Sequence, residues 1–159
     1  MIQVGSAAGA SSNIPGGVGV FNQSGGENAV ASSLQIGVGQ YSSGTYELSG
    51  GSLTSNRTAV GVVGSGLVRH SGGAHVVADL LSLGSTPGDG TYLLSGTATL
   101  SAARLWVGDA GSGLFQQSGG SAAVTGDLTV GRNPNASGQY YLSGGSLSSD
   151  RTFVGSTVS

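Results

Sequence analysis

Hydrophobic and polar residues alternate in short blocks along this chain, and after a longer first interval the blocks return every 23 or 24 residues. One block ends in Val-Gly or a close equivalent, and these pairs begin at Val4, Ile36, Val60, Leu83, Val107, Val130 and Val154. The other block ends in Ser-Gly-Gly, which begins at Ser24, Ser49, Ser71, Ser118 and Ser143, with Ser95-Gly96-Thr97 as a degraded copy. A fixed period of this length is typical of one supersecondary unit stacked on copies of itself.

Within each unit the bulky residues fall at fixed places. Three positions before each serine stand Phe21, Tyr46, Val68, Tyr92, Phe115 and Tyr140, and the residues that directly follow them are mostly polar. This period of two indicates a strand with one buried face. The valine of Val-Gly and the residue two before it form a second inward pair, and we expect the residue between them to face outward. Each unit is therefore predicted to contain two or three strands of four to six residues joined by glycine corners.

The predicted fold is all-β: a parallel β-solenoid, or β-helix, of about six rungs of 22–25 residues in a single domain spanning residues 1–159. Two coil types alternate, one with Tyr-x-Leu-Ser-Gly-Gly and one with Phe-x-Gln-Ser-Gly-Gly, which makes three two-rung repeats. The surplus of the first interval predicts an inserted loop at residues 10–17. With a rise of about 4.8 Å per rung, six rungs would form a rod segment roughly 29 Å long.

Coils of the form Gly-Thr-Tyr-x-Leu-Ser-Gly-Gly-x-Leu, as in Gly44–Leu53, alternate with coils that contain Phe-x-Gln-Ser-Gly-Gly, as in Phe115–Gly120. This pattern resembles the β-strand repeats of large bacterial surface and secreted proteins, including autotransporter-passenger-like adhesins. The resemblance covers essentially the whole chain. It implies an extracellular or cell-surface location, with the secretion signal outside this chain, and it says almost nothing about a ligand.

Composition removes several classes of function. The net charge is −2, all five cations are arginines and no basic stripe is present, so nucleic acid is not an expected partner. No apolar run reaches the roughly 18 residues that a membrane-spanning helix needs, so membrane insertion is not expected. The chain has no cysteine, and no column of carboxylates joins His70 and His75, so we expect neither a metal nor a cofactor. The aspartates stand at different phases of the coil and form no obvious pair, so we expect no enzyme.

One outward face carries the candidate contact residues, which are Arg57, Arg104, Trp106, Asp127, Arg151 and Phe153. The three arginines share a column on every second rung, and Asp127 falls between Arg104 and Arg151, which predicts an Arg-Asp-Arg ladder. Trp106 and Phe153 are predicted to be exposed, two rungs apart on the same face. The ladder fits register setting better than anion or glycan binding, and the two aromatic residues fit lateral packing of rods better than sugar stacking.

A polar set interrupts an inward leucine column: Gln23, His70 and Gln117 stand where other coils have leucine, and they predict a hydrogen-bonded ladder beneath the Ser-Gly-Gly corner. Val4-Gly5 and Val154-Gly155 occupy the same phase of the same coil type, so we expect either a subunit whose copies stack head to tail or a segment of a longer array, and lateral packing is a further expectation. We expect a structural extracellular or cell-surface solenoid, a filament, fibre or spacer component. The alternative is an adhesin segment that binds glycans or a host surface.

Overall fold

The computed structural model describes residues 1–5, 16–85 and 87–155, and within these ranges it contains strands and no helix. The strands are β1 (Ile2–Val4), β2 (Val18–Gln23), β3 (Glu27–Ile36), β4 (Ser43–Leu48), β5 (Ser52–Val60), β6 (Ser65–His70), β7 (Ala74–Leu83), β8 (Asp89–Leu94), β9 (Thr99–Val107), β10 (Ser112–Val130) and β11 (Ser137–Val154). It follows that none of the described residues belongs to a helix that could span a membrane.

The strands wind into a parallel β-solenoid, as the repeat predicts. Coils 1 to 4 are the strand pairs β2–β3, β4–β5, β6–β7 and β8–β9, while coil 5 is β10 and coil 6 is β11. The first strands of successive coils form one parallel ladder. The second strands form another, which begins with β1 against β3. Equivalent residues of successive coils therefore lie directly above one another, which is what later brings repeated side chains into contact.

The inward columns form one continuous hydrophobic core. Tyr46, Tyr92 and Phe115 are completely buried, as expected for the bulky column. The ring of Phe115 stacks on Tyr92 at 5.0 Å between centroids and on Tyr140 at 4.6 Å. At the first coil the same column is less covered, and Phe21 is 37% exposed. Burial of an inward side chain therefore depends on having a coil on both sides.

The expected strand length of four to six residues is wrong for the second strand of coils 1 to 4 and for the strands of coils 5 and 6. The first strand of coils 1 to 4 has 6 residues, but the second has 9 or 10, and β10 and β11 run through their Ser-Gly-Gly corners as strands of 19 and 18 residues. Two residues of the column expected to face outward, Ser82 and Thr129, are also buried. Parallel pairing with a coil on each side extends the strands over more residues than the alternation of side chains alone indicates.

Glycine fixes the corners because two coils approach each other closely there. Gly61, at the end of coil 2, has φ +71°. A Cβ at this position would collide with the carbonyl oxygen of Asp89, which begins coil 4. Gly51 has φ +80° and would collide in the same way with Gly26 of the coil beneath. The inserted loop predicted at residues 10–17 lies outside the described residues, apart from Gly16 and Gly17.

Candidate functional site

The outward face of the second ladder contains an ion-pair triad that the sequence analysis assigned incorrectly. Asp79 lies between Arg57 and Arg104: its Oδ2 is 2.8 Å from Nε of Arg57, and its Oδ1 pairs with Nη2 of Arg104. The side chains of the two arginines are 58% and 41% exposed. In the expected ladder of Arg104, Asp127 and Arg151, Arg104 therefore pairs with Asp79 in place of Asp127.

A shift in strand register explains the difference. Between the paired positions Ser55↔Val77 and Arg57↔Leu80, strand β7 has one residue more than β5. This extra residue is a β-bulge, and it sets Asp79 beside the arginine column although Asp79 stands one residue farther from its Val-Gly corner than the arginines stand from theirs. Alignment of the coils on the Val-Gly pair hides this placement.

Asp127 contacts one of the two arginines assigned to it. Its Oδ1 lies 2.7 Å from Nε of Arg151, its paired residue in the next coil, and its Oδ2 lies 3.3 Å from Nη2 of the same arginine. The guanidinium carbon of Arg151 is also 6.0 Å from the centre of the Phe153 ring. Phe153 is 40% exposed, in agreement with the prediction that it faces outward.

Trp106 is less exposed than predicted, because arginines cover it. The guanidinium carbon of Arg132 lies 3.7 Å from the centre of the indole ring, and that of Arg104 lies 5.6 Å from it. Asp109 holds Arg132 in place through an ion pair of 2.8 Å, and the Asn133 amide donates to the same aspartate at its main-chain and side-chain oxygens. The indole is therefore half-buried under a tethered guanidinium and offers less area for stacking a sugar ring.

The electrostatics of this face fit a surface ladder. Hydrogen bonds from Arg104 and Arg57 lower the pKa of Asp79 below its ordinary value, so the carboxylate stays charged at neutral pH. Among the described residues, no cluster of three or more His, Cys, Asp or Glu side chains could hold a metal ion. The arrangement fixes the register of neighbouring coils at their surface, and exposed pairs of this kind contribute little stability each.

A second set of polar residues lies inside the rod, where we define a tyrosine cage as a tyrosine hydroxyl and the polar side chains that meet it from the preceding coil. In the first cage the hydroxyl of Tyr46 donates to Oε1 of Gln23 at 2.6 Å and accepts from Nδ2 of Asn28 at 2.9 Å. Nε2 of Gln23 then donates to the carbonyl oxygens of Gly26 and Ser52. The polar residue beneath the corner is thus hydrogen-bonded, but it forms a separate set around a tyrosine and no continuous ladder, because leucines separate it from its equivalents.

The last cage repeats this arrangement with one member missing. The hydroxyl of Tyr140 donates to Oε1 of Gln117 at 2.7 Å, and Nε2 of Gln117 donates to the carbonyl oxygens of Gly120 and Ser146. Ala122 stands in the column that contains Asn28 in the first cage, so it offers no donor to the tyrosine. Gln117 is completely buried, and both the oxygen and the nitrogen of its side-chain amide are hydrogen-bonded.

The middle cage contains imidazoles where the others have amides. The hydroxyl of Tyr92 lies 2.9 Å from Nδ1 of His70 and 3.0 Å from Nδ1 of His75. Nε2 of His70 lies 3.2 Å from the carbonyl oxygen of Gly73, and Nε2 of His75 lies 3.2 Å from the hydroxyl of Thr58. His70, His75 and Tyr92 are all essentially inaccessible to solvent. Every ring nitrogen of the two histidines is therefore engaged in a buried hydrogen bond.

The partners determine the direction of each hydrogen bond in the middle cage. A carbonyl oxygen can only accept, so Nε2 of His70 carries hydrogen and its Nδ1 accepts from Tyr92. The tyrosine oxygen then accepts from Nδ1–H of His75, whose Nε2 accepts from Thr58. Thr58 lies 2.8 Å from the hydroxyl of Ser55, which completes a chain of donors from Ser55 to the corner carbonyl. Both histidines are thus neutral, each as a defined tautomer.

Burial keeps the cages in this protonation state. Desolvation lowers the pKa of His70 to about 4 and that of His75 to about 3, and the neighbouring His70 contributes to the lowering at His75. Burial raises the pKa of Tyr92 far above its ordinary value, so this hydroxyl remains a donor. Within the described residues, no buried side-chain nitrogen or oxygen lacks a hydrogen-bond partner.

Sequence reasoning found Gln23, His70 and Gln117 but missed the tyrosine hydroxyls and the second histidine. A usable signal was present, because Asn28 and His75 interrupt a column that has leucine at Leu53 and Leu100. Comparison of the chain with protein-family models, with curated proteins and with solved structures found no match in any of the three.

Proposed function

We propose that this chain is a structural β-solenoid, a filament, fibre or spacer component of the cell surface or extracellular space, and not an enzyme. The observation that carries the proposal is the axial alignment of both ladders, in which aromatic rings and leucines of successive coils lie on one another and the register resumes after each β-bulge of the second ladder. The surface carboxylates support it as well. Asp79, Asp109 and Asp127 are each paired with arginine, so these groups tie coils together and do not converge on a common point.

The columns of coil 6 have the chemistry needed to continue the stack. Leu142 is 51% exposed, whereas its equivalents Leu48 and Leu94 are 1% exposed, and Val154 is 77% exposed, whereas Val107 is buried. A further coil of the same phase would cover these side chains, whether it belongs to a second copy or to more of the same chain. Head-to-tail stacking of copies is therefore part of the proposal, since it supplies such a coil without a break in register.

Electron microscopy of the purified chain, combined with light scattering over a range of concentrations, tests this stacking. We expect rods whose length is a multiple of one copy and whose mass increases with concentration. The change Leu142→Glu introduces a buried carboxylate at the junction and should leave single short rods. Monodisperse short rods from the unchanged chain would reject self-assembly and leave the spacer role within a longer array.

An adhesin segment is the second candidate, and one groove favours it. The groove has a volume of about 320 Å³ and crosses the outer surface of coils 1 to 4 beside the Ser-Gly-Gly corners. Glu47 and Arg69 line it, 3.8 Å apart and about half exposed, so it offers one acceptor and one donor group to a polar ligand. If the groove is an adhesin site, the chain should bind glycans on an array, and Arg69→Ala should abolish that binding. Trp106→Ala is the matched change on the outward face of the second ladder. If this change abolishes binding and Arg69→Ala does not, the glycan contact lies on that outward face.

A further inference from the structure

The three cages occupy equivalent places in the three two-rung repeats, yet only one of them can take up a proton in mildly acidic solution. The residue beneath the corner is Gln23, His70 or Gln117, and in each case it accepts from the tyrosine and donates to a carbonyl oxygen. An amide and a neutral imidazole are therefore interchangeable here as hydrogen-bonding groups. They differ in basicity, because imidazole ordinarily titrates near pH 6.5 and an amide does not titrate.

An additional proton disrupts the hydrogen bonds around His70. Its Nδ1 is an acceptor only, and Tyr92 already accepts from His75. If Nδ1 of His70 becomes a donor, the tyrosine oxygen faces two donors, and its own proton finds an acceptor only if His75 changes tautomer and Thr58 turns toward Ser55. Protonation of His75 is tolerated by hydrogen bonding, because Thr58 can turn and donate to Ser55, but it places a charge in the core.

Among the residues that the structure describes, no charged side chain is positioned to compensate for a cation in this cage. His70 is flanked in its column by Leu48 and Leu94, and His75 is flanked by Leu53 and Leu100. The titratable groups that face each histidine are the other histidine, with ring centres 6.3 Å apart, and Tyr92. The charged side chains of the surrounding strands lie on the outside of the coils: Glu47, Arg57, Arg69, Asp79, Asp89 and Arg104.

We propose that the middle cage is an acid-labile joint, at which coils 3 and 4 separate as the pH falls below about 6 while the coils joined by amide cages stay together. This inference concerns the response of the fold to acid, so it holds for a fibre, a spacer or an adhesin alike. It goes beyond the proposed function and does not depend on self-assembly.

The sign of the effect follows from the two protonation states. Both histidines have a lower pKa in the folded chain, about 4 and about 3, than the ordinary value of 6.5. The open state therefore binds more protons than the closed state when the pH is below about 6.5, and the closed state is fully favoured above that value. Each histidine contributes a factor of about five to nine per pH unit, so the opening equilibrium should rise about fiftyfold per unit between pH 6 and 4.

Hydrogen exchange of the full chain at pH 7 and pH 5, corrected for the intrinsic rate at each pH, locates the opening. We expect protection to fall first in residues 65–107 and to persist in the strands around the first and last cages. The change His70→Gln with His75→Asn copies the first cage into this position and should remove the local loss of protection. A loss that is uniform along the rod, or one that is equal in this variant, would overturn the proposal.

Two measurements keep the proposal testable if that variant fails to fold. Nitrogen NMR of the unchanged chain should find hydrogen on Nε2 of His70 and on Nδ1 of His75 at pH 5.5, and a ring that titrates near pH 6.5 in the folded chain would contradict the proposal. The reverse change, Gln23→His with Asn28→His, should create a second acid-labile region around Tyr46. Unchanged protection of that region at pH 5 would also count against the joint.

Discussion

The protein repeats polar side chains along its axis in two regions, one inside the rod and one on its surface, and the two differ in what they require. Inside, Tyr92 and its two histidines have no access to water, so each of their polar atoms must find a protein partner. On the surface, Asp79 and its two arginines remain in contact with solvent, so water can replace the hydrogen bonds between them. The same kind of repeat therefore demands a specific geometry in one region and tolerates change in the other.

The largest expected effect concerns the apolar neighbours of the inner cages. Leu94→Ala should reduce the free energy of unfolding by about 2–5 kcal/mol, because it leaves a cavity between buried coils. Leu142→Ala is the matched control in the half-exposed column of coil 6 and should cost less than about 1 kcal/mol. Urea denaturation followed by circular dichroism measures both. Equal losses would mean that depth within the stack does not determine how much an inward side chain contributes.

Removal of a single oxygen atom gives the next largest effect. Tyr92→Phe leaves Nδ1 of both His70 and His75 without a partner in a dry core, at a cost of about 3 kcal/mol. Tyr140→Phe removes one bond in the half-buried last cage and should cost about 1 kcal/mol. Urea denaturation at pH 7 compares the two variants. A smaller loss in the free energy of unfolding for Tyr92→Phe than for Tyr140→Phe would contradict the expectation that the fully buried network contributes more than the half-buried one.

On the surface, Asp79→Asn should shift the unfolding midpoint by much less than Tyr92→Phe. Its carboxylate joins two exposed guanidinium groups, and about 0.5 M salt should screen most of the effect. The lowered pKa of Asp79 means that its contribution is present above the ordinary carboxyl value and is lost as the pH falls below about 4. This window lies below that of the histidines, so a pH series separates them. An effect that survives high salt would show that the triad behaves as a buried network.

The smallest effect is expected at the covered indole. Arg132→Ala should uncover Trp106 and shift its fluorescence emission to longer wavelength, with a stability change of about 1 kcal/mol or less. Arg69→Ala is a control at an exposed arginine of the first ladder, which pairs with Glu47, and it should leave the emission unchanged. Emission that does not respond to Arg132→Ala would mean that the guanidinium does not shield the ring in solution.

The sequence predicted those parts of the fold that depend on period alone. The positions of the Val-Gly and Ser-Gly-Gly markers identify coil length, and the alternation at Tyr46 and Tyr92 identifies the buried face. The inward placement of Gln23 and Gln117 was also correct, because leucine in sister coils marks the column. These features could be predicted because every coil is a variant of the same unit.

Features that arise between coils were not predicted. Asp79 was misplaced because a β-bulge in β7 breaks the constant offset, and an added residue leaves no compositional trace. The covering of Trp106 was missed because Arg132 lies beyond the Val-Gly corner, outside the aligned columns. The role of the Tyr92 hydroxyl was missed because a ring in an apolar column was read as hydrophobic, although a buried hydroxyl requires a partner.

The hydrogen bonds between successive backbones point along the rod, and this orientation governs how the rod would respond to being pulled. A tensile force on its two ends passes undiminished through each interface between coils, because the interfaces are arranged in series. Rupture then occurs at the weakest interface, whatever the average strength of the others. Additional coils would extend the reach of such a rod without raising the load that it can bear.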